Sequence, residues 1–424
     1  MPPKGLHYGA RHRRRLAFVV QRYGREVSGG AELACRLLAE RLAAADSVDV
    51  LTTCALDYVT WKNHYRAGVD RLNNVTVRRF PVDFERDPER FQTLSGAVLG
   101  GPHTPQEEEE WMIAQGPYSS RLFAFVEEHA ADYDLFLFVT YLYATTYFCL
   151  PAVAGKGVLI PTAHDERPIY LGIFDRVFAL PRLVLTLTVE EMYFVQKRFG
   201  TPADRLGLVG SGLDTAGIDE RDPAWHRFAR RLPRERPRLL YVGRLDESKG
   251  CGLLFEHFER FRADRPEFDL QLILAGRGPL APPEAPAIHA AGFVSNAFKF
   301  EMMRQSAVVV IPSALESLSL ASLEAWTVGK PVLVNGRSPV LRGHCERSGG
   351  GLWFESYPEF REALGWLLSH PEEAAAMGEQ GRRYVLANYS WPAVMDRLER
   401  ELGRLCDRDG GGERRLCGSR NGRD

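Results

Sequence analysis

Two cationic side chains, Arg244 and Lys249, stand in the run Gly243-Arg244-Leu245-Asp246-Glu247-Ser248-Lys249-Gly250, between an apolar stretch that reads as a strand and a segment that reads as a helix. Cations that leave a strand end and face the N–H groups of a helix start suit a diphosphate. The same pair would stabilise negative charge growing on a departing phosphate. Taken alone, the run also reads as an ordinary charged surface loop.

A second run, Ser313-Ala314-Leu315-Glu316-Ser317-Leu318-Ser319-Leu320-Ala321-Ser322-Leu323-Glu324, follows another apolar strand. Glu316 falls in the loop before a helix, and Glu324 falls about two turns along it. Carboxylates so placed can accept hydrogen bonds from vicinal hydroxyls at two parts of one extended ligand, while the amides between them hold phosphate oxygens. The plainer readings are a solvated loop acid at Glu316 and a helix-surface acid at Glu324.

The Gly-Arg-Leu-…-Lys-Gly loop followed by a Glu-x7-Glu element, in the order and separation found here, resembles the donor half of family 4 of the retaining glycosyltransferases. The likeness is sharpest from about 238 to 336. It implies the GT-B fold, α/β, with two Rossmann-like doubly wound domains facing across a cleft. It also implies donor-site roles. Arg244 and Lys249 would bind the diphosphate, Glu316 the hydroxyls of the transferred sugar and Glu324 the ribose. Leu318, Ser319 and Leu320 would offer amides near the distal phosphate. Many relatives have Phe-Gly where Leu318-Ser319 stand. Serine keeps the amide contact if its backbone needs no positive φ, so the loop shape and the sugar preference stay open.

Two more segments fit the resemblance. Ser28-Gly29-Gly30-Ala31-Glu32 opens a helix after the first strand, with Ser28 a reasonable N-cap, and relatives have paired glycines where backbone nears the donor. Glycines also start helices for purely local reasons. The run Pro161-Thr162-Ala163-His164-Asp165-Glu166-Arg167 puts His164 after a strand end, where relatives carry a histidine near the anomeric carbon. A loop histidine bonded to Asp165 or to backbone is the alternative. Asp165 and Glu166 are acceptor candidates, and the sequence does not choose between them. The catalytic set expected is therefore His164, Glu316, Arg244 and Lys249. The acidic run Glu107 to Glu110 reads as a solvated helix face. His344-Cys345, next to Arg342 and Arg347, has two readings, a loop near the donor and an ordinary surface loop, and the ordinary one is favoured. No Asp-x-Asp motif stands at a strand end, so neither a metal nor another cofactor is expected.

The elements that must position these residues come from alternating apolar runs and amphipathic segments, as in βα units on a parallel sheet. Strands are expected at 16–20, 49–53, 75–80, 135–140, 157–161 and 183–188, with helices at 31–44, 117–128 and 190–198. The alternation restarts at 239–242 and continues through a helix at 250–262 and strands at 270–275, 308–312 and 331–334. A helix at 320–328 has Ser319 to cap its start and Gly329 with Pro331 to close it. The expected organisation is a basic lead-in, 1–14; an acceptor-side domain, 15–215; a linker, 216–236; a donor domain, 237–385; a C-terminal helix, 386–408, that packs back on the first domain; and a disordered tail, 409–424.

The 424 residues exceed one ordinary core, and 54 Lys plus Arg against 55 Asp plus Glu give no reason to expect nucleic acid as a partner. Seven cysteines without metal-ligand spacing fit reduced thiols and a cytoplasmic location. The cluster Arg11, Arg13, Arg14 and Arg15 reads first as a solvated lead-in. The alternative is weak contact with an anionic membrane surface from the inner face. The partners expected are a nucleotide-sugar donor and a glycan, lipid-linked or small-molecule acceptor. Rival readings are an inverting transferase, sugar-phosphate synthase or phosphorylase on the same fold, and an inactive glycosyltransferase-like binding module. An NAD enzyme is disfavoured because no GxGxxG follows the first strand.

Overall fold

A computed structural model describes residues 13–27, 29–215, 217–233 and 236–409. Fourteen strands form two sheets among them. In chain order they are β1 Arg15–Val19, β2 Ser47–Thr53, β3 Gly68–Leu72, β4 Val75–Phe80, β5 Leu135–Val139, β6 Gly157–Ile160, β7 Leu183–Thr186, β8 Leu206–Leu208, β9 Arg238–Val242, β10 Gln271–Ala275, β11 Ile288–Gly292, β12 Val308–Ile311, β13 Val332–Asn335 and β14 Gly351–Phe354. The chain divides into two compact units. The first holds 1–187, 192–209 and 396–424; the second holds 188–191 and 210–395.

The first unit carries eight strands in the order β3-β4-β2-β1-β5-β6-β7-β8, all parallel except β3, which runs antiparallel to β4. The second carries β11-β10-β9-β12-β13-β14, all parallel. Both have the doubly wound pattern, in which strand order reverses beside the first strand. The reversal falls between β1 and β5 in one unit and between β9 and β12 in the other. Loops leaving the carboxyl ends of strands diverge there and open a crevice for ligands.

Central strands such as β5 and β12 are buried on both faces and read as unbroken apolar runs, because helices cover both sides. Phe136, Phe138, Trp111 and Phe174 anchor the first core, and Phe258, Phe261 and Phe360 the second. Each fully buried side chain of this size contributes about 2 kcal/mol relative to exposure.

Several elements differ from the sequence reading. β3 was not expected, because its residues are mostly exposed and lack apolar alternation; it is formed by pairing with β4 across Asn73 and Asn74, both at positive φ. Helix 117–128 begins only at Ser120. The acidic run is not simply a solvated face: within helix Pro105–Gln115, Glu107 completes a capping box with Thr104. Glu108 is buried and accepts hydrogen bonds from the backbone N–H of Gly172 (3.0 Å) and Ile173 (2.8 Å), at the start of a helix further along the chain, Ile173–Ala179.

Of the basic cluster, Arg11 lies outside the described residues, while Arg13 and Arg15 are exposed. Arg14 belongs neither to a solvated lead-in nor to a lipid contact. It pairs with buried Asp46 at 2.5 Å and with Glu399 at 3.0 Å. Residues 217–233 include helix Pro223–Ala229, whose buried Trp225 packs edge-on against Phe298. Helix Trp391–Asp409 sends Leu398, Leu402 and Leu405 into buried positions. The tail beyond it, with Cys417, lies outside the described residues. Among the described residues no helix is long and apolar enough to cross a membrane.

Candidate functional site

In the second unit the loops after β9 and β12 flank the reversal of strand order, and they carry the two runs singled out above. Glycines let these loops touch through backbone. A Cβ on Gly250, at φ +71°, would lie 2.4 Å from the Pro312 carbonyl oxygen, and one on Gly276, at φ +148°, would lie 1.8 Å from that of Gly243. No L-side chain fits either place, so the loops after β9, β10 and β12 are seated directly on one another.

That seating brings Lys249 and Glu316 together, Nζ to Oε1, at 2.8 Å. The lysine is partly exposed, so the pair adds at most about 1 kcal/mol to stability. Its significance is placement, since it sets a cation and a carboxylate side by side at the crevice. Arg244 is within 3.4 Å of Asp246 and of the Ser248 hydroxyl. Asp246 accepts from the Ser248 N–H at 2.9 Å and fixes the turn Glu247–Lys249. Burial alone would raise the Asp246 carboxyl. Its bonds from Ser248 and the charges of Arg244 and Lys249 bring it below its ordinary value instead.

Helix Leu320–Thr327 follows Glu316 in the chain, at the end of the same loop. Its first amides have no partner inside the helix and carry the positive end of its dipole. Ser319 occupies the N-cap position but does not cap. Its backbone is left-handed, φ 64° and ψ 77°, and its hydroxyl turns to that of Ser322 at 2.9 Å. The condition set for serine at this position is therefore not met: it holds a conformation that glycine adopts without strain, at a cost of about 1 kcal/mol. Gly329, at φ +70°, follows the helix as expected.

Glu324 is not a helix-surface acid. It is buried and paired with Lys299 at 2.6 Å. Burial raises its carboxyl, Lys299 opposes the rise, and Asp214 adds to it. Lys299, on helix Asn296–Gln305, went unnoticed in the sequence because Phe298-Lys299-Phe300 has no local mark of function.

His344 was assigned to an ordinary loop in preference to one near the donor. It lies on helix Pro339–Ser348, not in a loop, and is fully buried. Its Nε2 stands 3.1 Å from the Leu318 carbonyl oxygen and its Nδ1 3.1 Å from the Tyr384 hydroxyl. The signal available was a histidine in register with the buried Val340, Leu341 and Cys345.

In the first unit, Gly29 is the N-cap of helix Gly30–Leu42, while Ser28 lies outside the described residues. Gly29 leaves room for Glu32, whose carboxylate would be 2.1 Å from a Cβ there. Buried Glu32 accepts from Gln21 at 2.9 Å and pairs with Arg22 at 2.5 Å. A Cβ on Gly30, by contrast, would meet nothing within 4 Å. After β6, His164 Nε2 stands 3.4 Å from Glu166, and the Tyr141 hydroxyl donates to Glu166 at 2.6 Å. Burial would raise the Glu166 carboxyl, but His164 and Tyr141 bring it below its usual value. Asp165 is exposed and accepts from the Tyr170 hydroxyl at 2.7 Å. Of the loop histidine's two suggested partners, then, Asp165 turns to Tyr170, and the acid beside His164 is Glu166.

Residues 236–370 match the family described as glycosyl transferases group 1. The chain is 32% identical over 187 residues to alpha-D-kanosaminyltransferase of Streptomyces kanamyceticus, covering 40% of this chain and 47% of that protein. It is 25% identical over 360 residues to D-inositol 3-phosphate glycosyltransferase of Corynebacterium urealyticum, covering 76% and 84%. For most of the curated relatives the match spans about half of their length. The structure of Anabaena Alr3699/HepE in complex with UDP-glucose superposes with a TM-score of 0.64 at 14% identity, over 92% of this chain and 99% of that one. Residues 236–370, within the second unit, therefore carry the sequence of the glycosyl transferases of group 1, and the two sheets of the chain have the GT-B architecture.

Proposed function

We propose that the protein transfers a sugar from a nucleotide-sugar donor to a hydroxyl-bearing acceptor, with retention of the anomeric configuration. The observation that supports this best is the second unit's crevice. There Lys249 and Glu316 meet at 2.8 Å, Glu316 on the loop that leads into helix Leu320–Thr327 and Arg244 on the loop of Lys249. Lys249, Arg244 and the helix amides suit a diphosphate, and Glu316 suits sugar hydroxyls. Buried Glu324, held by Lys299, suits the ribose.

The reaction breaks the bond between the anomeric carbon and a phosphate oxygen and forms one from that carbon to the acceptor oxygen. The acceptor proton passes to the departing phosphate on the same face. The chain's contribution is to hold the reacting groups in line and to stabilise charge on the leaving phosphate, so Arg244 and Lys249 take the cationic role without a metal ion. His164, Asp165 and Glu166 are assigned to the sugar and acceptor side. Their support is the hydrogen-bonded loop after β6 within the first unit. The acceptor class stays as glycan, lipid-linked or small molecule. A cytoplasmic location is supported by Cys35, Cys54, Cys149, Cys251 and Cys345, all buried free thiols.

Thermal-shift measurements with UDP-, GDP- and ADP-sugars test the donor, because a ligand that binds only the folded state raises its apparent stability. A UDP-sugar is the first to try, given the ligand of the Anabaena structure. A shift with one class and hydrolysis of that donor support the reading; no shift with any of the three contradicts it. NMR of the product anomer then separates retention from inversion.

A further inference from the structure

The loop that carries Glu316 is held from behind through its carbonyls. The Ser313 hydroxyl donates to the Leu315 oxygen at 3.0 Å, the Thr188 hydroxyl to that of Ser317 at 3.2 Å, and His344 to that of Leu318 at 3.1 Å. A carbonyl can only accept, so the His344 Nε2 carries a hydrogen. Its Nδ1 then accepts from Tyr384, whose hydroxyl in turn accepts from Arg347 Nε at 3.3 Å. Arg347 is ion-paired with Glu190, which belongs with Thr188 to the segment 188–191 of this same unit. Every donor in the series Arg347, Tyr384, His344 points toward Leu318, so each bond polarises the next.

The bond to the Leu318 carbonyl fixes the peptide that enters left-handed Ser319, where the backbone is under strain. We propose that His344 is a positioning residue for the distal phosphate of the donor: by holding the Leu318 carbonyl it fixes the Leu318–Ser319 peptide so that its amide faces the diphosphate. This rests on the donor-binding reading above. His344 sits among Trp326, Tyr384 and Tyr389. Burial, first, and the nearby Arg347 lower its pKa to about 3, so the neutral tautomer this role needs persists through the physiological range.

The test is calorimetry of the full chain with UDP, GDP and ADP and with the corresponding monophosphates. For the nucleotide that binds the wild type, His344→Phe should weaken the diphosphate about tenfold, the scale of one lost hydrogen bond, and leave the monophosphate unchanged. His344→Gln, whose amide can still donate to Leu318, should retain most of the affinity. Adding Ser319→Gly to His344→Phe should recover part of it, because glycine needs no tether to hold that backbone. Equal losses for mono- and diphosphate, or unchanged diphosphate binding in a folded His344→Phe, overturn the proposal. Should His344→Phe not fold, Tyr384→Phe serves in its place, with the same diphosphate-selective loss expected; an unaltered ratio overturns the proposal. A wild type that binds none of these nucleotides contradicts the donor reading and this inference with it. Binding by the wild type with no selective loss in the variants removes this inference alone.

Discussion

Lys249 Nζ lies 2.8 Å from Glu316 Oε1, although 67 residues separate them in the chain. Without a donor each neutralises the other, and the proposed donor would exchange this contact for phosphate at one side and sugar hydroxyls at the other. Lys249→Ala and Arg244→Ala should each raise the transfer barrier by at least ~2 kcal/mol, the scale of one lost charge-stabilising donor. Steady-state kcat/KM with saturating acceptor measures this. Full activity in either variant removes the diphosphate assignment.

Glu316→Gln separates the sugar from the nucleotide. The amide keeps the shape but loses the charge, so discrimination among donor sugars should weaken while free nucleoside diphosphate still binds. Isothermal titration with the diphosphate decides: loss of that binding assigns Glu316 elsewhere.

Lys299→Met should make nucleotide binding pH-dependent. Burial already raises the Glu324 carboxyl, and Lys299 is what opposes the rise. Without it the pKa climbs further, so the acid proposed to hold the ribose is protonated over more of the pH range. Affinity should fall in the variant and recover as pH increases, whereas the wild type should change less. A parallel pair of affinity–pH curves would refute this.

His344 gives a stability signature. Its folded pKa of about 3 lies below the usual 6.5. The folded state therefore binds fewer protons than the unfolded one between those values. The stability it contributes is complete above about pH 6.5 and is lost as pH falls toward 3. Denaturant titrations should show the His344→Gln variant losing less stability than the wild type across that window.

Glu108→Ala should destabilise the first unit by about 2 kcal/mol, since the Gly172 and Ile173 amides lose their buried acceptor. Urea unfolding followed by tryptophan fluorescence provides the measure, with Trp111 on the same helix.

The central parallel strands were legible because burial on both faces makes them unbroken apolar runs, as in Leu135–Val139 and Val308–Ile311, whereas the short or half-exposed parallel strands β8, β11 and β14 lack such a run and were not expected. The cationic loop and the Glu-x7-Glu run were legible because each follows such a strand directly. β3 was hidden because its strand character comes from a partner and not from its own pattern. Lys299, and the partner of His344, were hidden for a related reason: each contact is with a residue far along the chain, Glu324 and Leu318, and local periodicity does not report such pairs. The strain at Ser319 was foreseen only as a condition. Whether serine must take a left-handed backbone depends on the contacts of the carbonyl before it.

Gly30 has open space where its neighbour Gly29 has a carboxylate. The fold has no steric need of a bare hydrogen at 30, so a methyl group introduced there should leave folding alone and alter only what approaches the helix start. That makes the position a place to probe the proposed donor contact separately from robustness, with Gly29, where an added methyl group must displace the Glu32 carboxylate, as the built-in control.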